Sequence, residues 1–196
     1  MGKRIFDIFF AALGLLILSP LFIFLSIWIV LDSRGGVFYR QRRVGKNNRD
    51  FFLYKFRTMR PGSDSKGLIT VGGRDPRVTR AGYVIRKYKL DELPQLINIL
   101  KGDMSFVGPR PEVRKYVDLY DEEQLKVLQV RPGLTDYASL EYINESELLA
   151  GSPDPDKTYI EEIMPAKLEL NKKYIRGKSF TTDLNILWKT IYKIFH

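Results

Sequence analysis

Asp91 and Glu92 are adjacent carboxylates in a stretch otherwise rich in cations. Arg86, Lys87 and Lys89 precede them, and Arg110 follows between two prolines. An ionised Asp can attack phosphorus and form an aspartyl phosphate. Cations nearby hold such a carboxylate charged at neutral pH. Two hard carboxylate oxygens beside phosphate oxygens suit Mg²⁺, which keeps some of its waters and rarely needs a full protein cage. A ring of cations with Mg²⁺ is also what a diphosphate requires as negative charge builds on its oxygens. The same residues admit structural readings: Asp91 as a helix cap, Glu92 as a partner of the helix dipole, Arg110 as a surface arginine in a proline-rich turn.

Composition removes many rivals. The 196 residues contain no cysteine, and the single histidine is the terminal His196. Disulfides, thiolate nucleophiles, Ser-His-Asp triads and most zinc sites are thereby excluded. There is no P-loop, no G-x-G-x-x-G after a strand and no kinase signature.

The segment that must position the pair is Asp91-Glu92-Leu93-Pro94, read as the opening of a helix with Asp91 as N-cap. Leu93, Leu96, Ile97 and Leu100 recur at helical spacing and Gly102 supplies the stop. The following GDMSFVGPRP (102–111) reads as a rigid, irregular excursion, and Arg131-Pro132-Gly133 as a turn. Upstream, alternation over Val37–Arg43, the aromatic run Phe51–Met59 and the turn residues Gly45–Asn48 predict a β-hairpin across roughly 37–58. Residues 61–80, rich in Gly, Pro and Ser, read as a mobile loop, with a helix after Gly82. Near the end, Thr182 is the expected cap of a last helix. Leu184, Leu187, Trp188, Ile191, Tyr192 and Phe195 form its apolar face, which suits either a membrane interface or a core.

Two charge asymmetries frame these elements. Residues 33–60 hold nine Arg/Lys against the single acid Asp50, facing anionic groups. Residues 112–162 hold thirteen acids against five bases, a composition that avoids anionic headgroups. Ahead of both lies an apolar run of 24 uncharged residues, 8–31. As one helix it would reach roughly 36 Å, enough for a bilayer core of roughly 30 Å. It is too long for a signal-peptide core, lacks a cleavage pattern and is followed by arginines, so it reads as a retained anchor. The Arg-rich flank places the domain in the cytoplasm. Ser19-Pro20 interrupts the run, because proline removes one helical hydrogen bond and crowds the Leu16 carbonyl. A kinked span and a re-entrant hairpin both fit; kinked spans are the commoner, while basic Lys3 and Arg4 on the near side favour the second.

YKFRTM (54–59), DPRVTRAG (75–82), LDELPQLINILKGDMSFVGPRPE (90–112) and VRPGLT (130–135) occur in one order behind a Ser-Pro-interrupted apolar helix. In this the chain resembles the bacterial sugar transferases, the small monotopic phosphoglycosyl transferases, over nearly its whole length. The resemblance implies an α+β fold: a re-entrant membrane helix over residues 1–32, and a mostly helical cytoplasmic domain over 33–196 with a β-hairpin and interfacial amphipathic helices. It implies transfer of sugar-1-phosphate from a UDP-sugar donor to undecaprenyl phosphate at the bacterial inner membrane, with release of UMP and with inner-membrane lipids as surroundings. Asp91 falls on the family's nucleophile, which forms a covalent phospho-sugar intermediate. Glu92 falls at the Mg²⁺, with Asp91 beside it. Arg110, Arg86 and Lys55 match phosphate or substrate contacts, Arg131 a position on the nucleotide side, and Ser19-Pro20 the break that makes the membrane helix re-entrant. The resemblance thus reverses the preference for a kinked span, and it implies the minimal catalytic form.

One departure bears on donor choice: many relatives continue the R-P-G-[IL]-T run with Gly and then Ala-Gln, where this chain reads Asp136-Tyr137-Ala138-Ser139. The rival reading is a membrane-anchored basic module for anionic lipid or nucleic acid, which has no use for paired acids inside a basic cluster; nucleic acid is not expected as a partner. A third reading is the same transfer by direct attack, without a covalent intermediate. The sugar, the exact polyprenol and the oligomeric state are left open by the residues.

Overall fold

The computed structural model describes residues 2–63 and 75–195; most of the loop expected over 61–80 lies outside them. The apolar N-terminus forms two helices, α1 (Gly2–Ile17) and α2 (Ser19–Asp32), bent by 61°. Neither alone is long and apolar enough to cross a bilayer. The cause of the bend is local. Pro20 sits in the first turn of α2 and offers no N–H to Leu16. The Ser19 hydroxyl donates to that Leu16 carbonyl instead, at 2.8 Å. Regular bonding runs on around the break, from Leu18 N–H to Gly14 O and from Phe22 N–H to Leu18 O, both 2.9 Å. Ile5, Phe9, Leu16, Ile17, Phe24 and Leu31 of this pair remain exposed.

The inner side of α1 belongs to the core of the molecule. Ala11 is fully buried among Leu53, Leu96, Ile99 and Met104. The buried carboxylate of Asp7 accepts from Ser105 Oγ at 3.1 Å and from the Phe106 N–H at 3.2 Å. Lys3 donates to Asp183 (2.6 Å), Val107 O (2.9 Å) and the Tyr174 hydroxyl (3.0 Å). The apolar helix is therefore docked on the rest of the chain through polar contacts at its N-terminal end.

The expected hairpin forms as β1 (Phe38–Val44) antiparallel to β2 (Asp50–Phe56), in register from Phe38 opposite Phe56 to Val44 opposite Asp50. Asn47 and Asn48 take left-handed backbone conformations in its turn (φ 57° and 60°), which Asn tolerates better than most residues. Not every cation of the basic segment faces outward. Arg57 is buried and clamps the end of α2, donating to Gly36 O (2.5 Å), Ser33 Oγ (2.5 Å) and Ser33 O (2.8 Å).

Helix α3 (Arg80–Lys87) starts before Gly82 rather than after it, because Thr79 caps it by accepting from the Gly82 N–H. Gly82 is required by packing: a Cβ there would lie 2.0 Å from Thr58 O. A single 3-10 turn over Leu90–Glu92 precedes α4 (Gln95–Lys101), which Gly102 ends at φ 92°. The most deeply buried positions of α4 are Gln95, Leu96, Asn98 and Ile99, a rotation from the anticipated stripe. Polar staples explain it: Asn98 accepts from Tyr54 N–H (3.0 Å) and donates to Phe52 O (2.7 Å), riveting α4 to β2.

The 102–111 stretch is more regular than the sequence suggested. Ser105–Val107 forms β3, parallel to β4 (Gly133–Thr135), with Ser105 opposite Gly133 and Val107 opposite Thr135. Gly133, read as a turn residue, opens this strand because only glycine lets the two backbones meet; a Cβ on it would fall 2.1 Å from Gly108 N. Short helices α5 (Arg114–Val117), α6 (Glu122–Leu125), α7 (Tyr137–Glu141), α8 (Glu145–Ala150) and α9 (Pro155–Thr158) follow. A π-helical segment, Tyr159–Ile163, joins α9 to α10 (Met164–Arg176). In α11 (Phe180–Phe195) the cap is Ser179, whose hydroxyl accepts from Thr182 N–H at 3.0 Å; Thr182 lies inside the helix. Ile186 of α11 is fully buried, whereas Phe180, Leu184, Trp188, Ile191 and Tyr192 are exposed.

Candidate active site

The backbone between α3 and α4 aims the two carboxylates. Lys89 takes a left-handed conformation (φ 56°), which costs a non-glycine residue about 1–2 kcal/mol. The chain there turns sharply into the 3-10 turn, with Glu92 N–H bonded to Lys89 O. Asp91 does not cap α4. The amides that a cap would serve already have carbonyl partners three residues back: Leu93 to Leu90, Leu96 to Leu93 and Ile97 to Pro94. The Asp91 carboxylate is thereby left out of the helix. It is buried, and its ion-pair contact is Lys55 Nζ at 3.8 Å.

Glu92 is held differently. Its Oε1 accepts from the Arg110 guanidinium in a short ion pair, and Lys55 Nζ lies 3.5 Å from the same oxygen. Arg110 is itself fixed at three points. Its guanidinium also donates to Leu134 O (3.1 Å), and its backbone N–H donates to Asp136 Oδ2 (3.1 Å). The other Asp136 oxygen accepts from Ser139 N–H (2.6 Å), capping α7. Parallel pairing of β3 with β4 brings the Pro-Arg-Pro segment against this cap.

The electrostatics separate the two acids. Burial pushes the Asp91 carboxyl above the usual aspartate range, with the Lys55 charge opposing it and the Glu92 charge adding to it. The neighbouring cations favour the charged form of Asp91 but are outweighed by burial, because Glu92 takes the nearer contacts. Burial acts on Glu92 in the same sense, but Arg110 and Lys55 outweigh it and hold that carboxyl well below its ordinary range. Burial lowers Lys55, partly offset by Glu92 and Asp91.

A cavity of about 640 Å³ opens beside this cluster, within the usual size of a small-molecule site. Arg86, Lys89, Glu92 and Arg110 line its charged end, and Lys55 bridges Glu92 and the adjacent Asp91. From there it runs between α7, α8 and α10 past Tyr142, Leu149 and Asn171. Of the sequence-predicted residues, Asp91, Glu92, Lys55, Arg110 and Arg86 come together. Arg131 does not join them: it is exposed, donates to Gly102 O at 2.9 Å and is absent from the cavity wall. Ser19 and Pro20 lie at the helix bend. Sequence reasoning missed Arg43, which lines the cavity and is tied to Glu112 at 3.1 Å while Tyr159 hydrogen-bonds the other Glu112 oxygen. The alternation of the hairpin put Arg43 on the same face as Gln41, and that was the available signal.

Among the described residues no three Asp, Glu, His or Cys side chains cluster as a metal cage. The two carboxylates on one turn still suit Mg²⁺, because that ion binds through one or two carboxylates with the remaining positions filled by water and substrate phosphates. Glu92 Oε1 carries both cations, and its second oxygen takes part in neither contact.

A paired-acid turn is thus docked on a basic hairpin, beside a bent apolar helix pair. The model of the family described as bacterial sugar transferase matches residues 1–196, and the chain belongs to that family. It is 42% identical over 195 residues to the UDP-N-acetylgalactosamine-undecaprenyl-phosphate N-acetylgalactosaminephosphotransferase of Aeromonas hydrophila, covering 98% of this chain and 43% of that protein. It is 36% identical over 206 residues to the exopolysaccharide production protein ExoY of Rhizobium meliloti, covering 97% and 84%. It is 35% identical over 198 residues to the UDP-glucose:undecaprenyl-phosphate glucose-1-phosphate transferase of Escherichia coli, covering 98% and 40%. The chain thus spans less than half the length of the first and third of these relatives.

Proposed function

We propose that this protein transfers sugar-1-phosphate from a UDP-sugar to undecaprenyl phosphate, at the start of a surface-polysaccharide or glycoconjugate assembly. The observation that carries the reading is Asp91: a buried carboxylate excluded from helix capping, beside Lys55 and next to the Glu92–Arg110 pair. A purely structural buried acid is normally held by close hydrogen bonds or ion pairs, whereas Lys55 Nζ stands 3.8 Å from Asp91.

In the first step an Asp91 oxygen attacks the phosphorus that bears the sugar. The bond from that phosphorus to the bridging oxygen breaks, and UMP leaves with the electron pair. In the second step a phosphate oxygen of the polyprenyl phosphate attacks the same phosphorus and expels the Asp91 carboxylate. The products are polyprenyl-diphosphate sugar and free enzyme. Arg110 and Arg86 supply positive charge to the phosphoryl oxygens, and Lys55 attracts the ionised form of Asp91. Asp91 and Glu92 would hold Mg²⁺, which supplies charge neutralisation on a diphosphate.

The acceptor's phosphate is tied to a membrane by its tail, so the site belongs at a bilayer surface. The bend at Ser19-Pro20, the exposed apolar residues of α1 and α2, and the exposed Leu184, Trp188, Ile191 and Tyr192 of α11 support a re-entrant, interfacial mode on the cytoplasmic face of the inner membrane. The test is UMP release from a panel of UDP-sugars by the purified full chain with undecaprenyl phosphate and Mg²⁺. Turnover with at least one donor and its loss on chelation with EDTA are expected; no release from any donor overturns the reading.

A further inference from the structure

Two residues in the wall of the 640 Å³ cavity each carry a buried polar side-chain atom without a partner. The Ser139 hydroxyl and the Asn171 side-chain oxygen are both buried and both without a hydrogen bond among the described residues. Asn171 as a residue is only 6% exposed. Both residues line the cavity, Ser139 from α7 and Asn171 from α10, two helices that pack against one another. A buried polar atom left unpaired is costly. Such atoms persist where something other than the protein satisfies them: water in the free state and a ligand afterwards.

Their position relative to the charged end narrows what that ligand is. Ser139 is joined to Arg110 through one carboxylate, since Asp136 accepts from Arg110 N–H with one oxygen and from Ser139 N–H with the other. Ser139 therefore stands next to the phosphate-binding arginine. On the transferase reading, on which this inference rests, the group nearest the reacting phosphorus is the sugar bonded to it, whereas the base lies beyond a further phosphate and the ribose. The chemistry of the wall also suits a sugar: a hydroxyl and an amide for its polar substituents, with Tyr142 lining the same space.

We propose that Ser139 and Asn171 read the sugar of the donor and set which UDP-sugar this protein accepts. Relatives named for N-acetylgalactosamine and for glucose show that proteins similar to this chain differ in the sugar they are named for. A site that hydrogen-bonds a substituent discriminates strongly against donors that lack it.

The test uses the purified full chain with undecaprenyl phosphate and Mg²⁺, comparing wild type with Ser139→Ala, Asn171→Ala and Asn171→Leu. UMP release is measured across UDP-glucose, UDP-N-acetylglucosamine, UDP-galactose and UDP-N-acetylgalactosamine, and UDP is measured as a sugar-free competitor. For the best donor, KM should rise roughly 3- to 10-fold for each lost hydrogen bond, and the preference over poorer donors should shrink. UDP should compete as well as it does against wild type. Asn171→Leu should melt no lower than wild type, because an apolar group replaces an unpaired polar one. Should that variant not fold, Asn171→Ala carries the same kinetic expectation. Wild-type KM and donor preference in all folded variants overturn the proposal. So does loss of UDP affinity in step with the donor, which would make this wall a nucleotide site. A wild-type enzyme inert toward every donor overturns the transferase reading beneath it, and this assignment with it.

Discussion

The guanidinium of Arg110 is bonded to the carboxylate of Glu92, eighteen residues earlier in the chain. That pairing decides the roles of the adjacent acids. Glu92 is committed to cations and stays ionised; Asp91, one residue before it, has Lys55 at the longer distance of 3.8 Å. In the proposed mechanism, two neighbouring carboxylates with environments this different divide the work of charge stabilisation and attack.

Substitution of the two acids should separate stability from rate. Asp91→Asn removes a charge that burial disfavours, so its melting temperature at neutral pH should equal or exceed that of wild type, while turnover disappears because an amide cannot attack phosphorus. Glu92→Gln breaks the Arg110 pair and should cost roughly 2 kcal/mol of stability, besides about a hundred- to a thousand-fold in rate. Thermal unfolding and UMP release on the same samples check both. Equal destabilisation by the two substitutions, with rates near wild type, would make the cluster structural.

The pH dependence follows from the same asymmetry. The nucleophile must be ionised, and burial raises the Asp91 carboxyl, so turnover should rise with pH above the ordinary aspartate range and fall as pH drops through the raised value. Glu92 has the opposite sign. Its folded carboxyl is depressed, so its stabilisation is complete above the ordinary glutamate range and is lost as pH falls through the folded value. Ionisation of Asp91 instead removes stability as pH rises. Melting curves of Asp91→Asn and wild type should therefore converge at acid pH and separate towards neutral, with the variant the more stable. Parallel curves across the range would contradict the shift.

The bend between α1 and α2 should depend on Pro20. Pro20→Ala returns an N–H donor to the Leu16 carbonyl and favours one continuous helix. Single cysteines are straightforward here because the native chain has none. With Gly2→Cys in cells, an impermeant thiol reagent added from outside should leave wild type unlabelled and label the Pro20→Ala background. Labelling of residue 2 in the wild-type background would replace the re-entrant arrangement with a span.

Much of the fold was legible where local signals were strong. The hairpin announced itself by alternation and Asn turn residues, the stop at Gly102 by its backbone freedom, and the break at Ser19-Pro20 by proline's missing donor. What local signals did not carry was tertiary. The three-residue parallel pairing of β3 with β4 leaves no periodicity to detect, because it depends on Gly108 and Gly133 meeting across a long sequence gap. The rotation of α4 follows from Asn98 bonding to β2, and a lone Asn inside a helix gives no hint of that. At the site, Asp91 looked like a cap until the 3-10 turn supplied the amides with other partners. Arg131, expected on the nucleotide side from its motif, donates to the Gly102 carbonyl, a contact between distant segments that the motif does not announce. Ser139 and Asn171 could not be paired from sequence, since nothing local links α7 to α10.

The central claim is that Asp91 itself takes up the phospho-sugar, and a single experiment without acceptor tests it. The purified full chain is mixed with an excess of a UDP-sugar that supports turnover, and Mg²⁺, with no polyprenyl phosphate present, and the quenched protein is weighed and its peptides sequenced by mass spectrometry. One UMP released per enzyme, with a sugar-phosphate adduct on the peptide containing Asp91, is the expected result, and the adduct should be absent from Asp91→Asn. An enzyme that turns over with acceptor present but yields neither UMP nor an adduct at Asp91 without it would require direct transfer between donor and lipid.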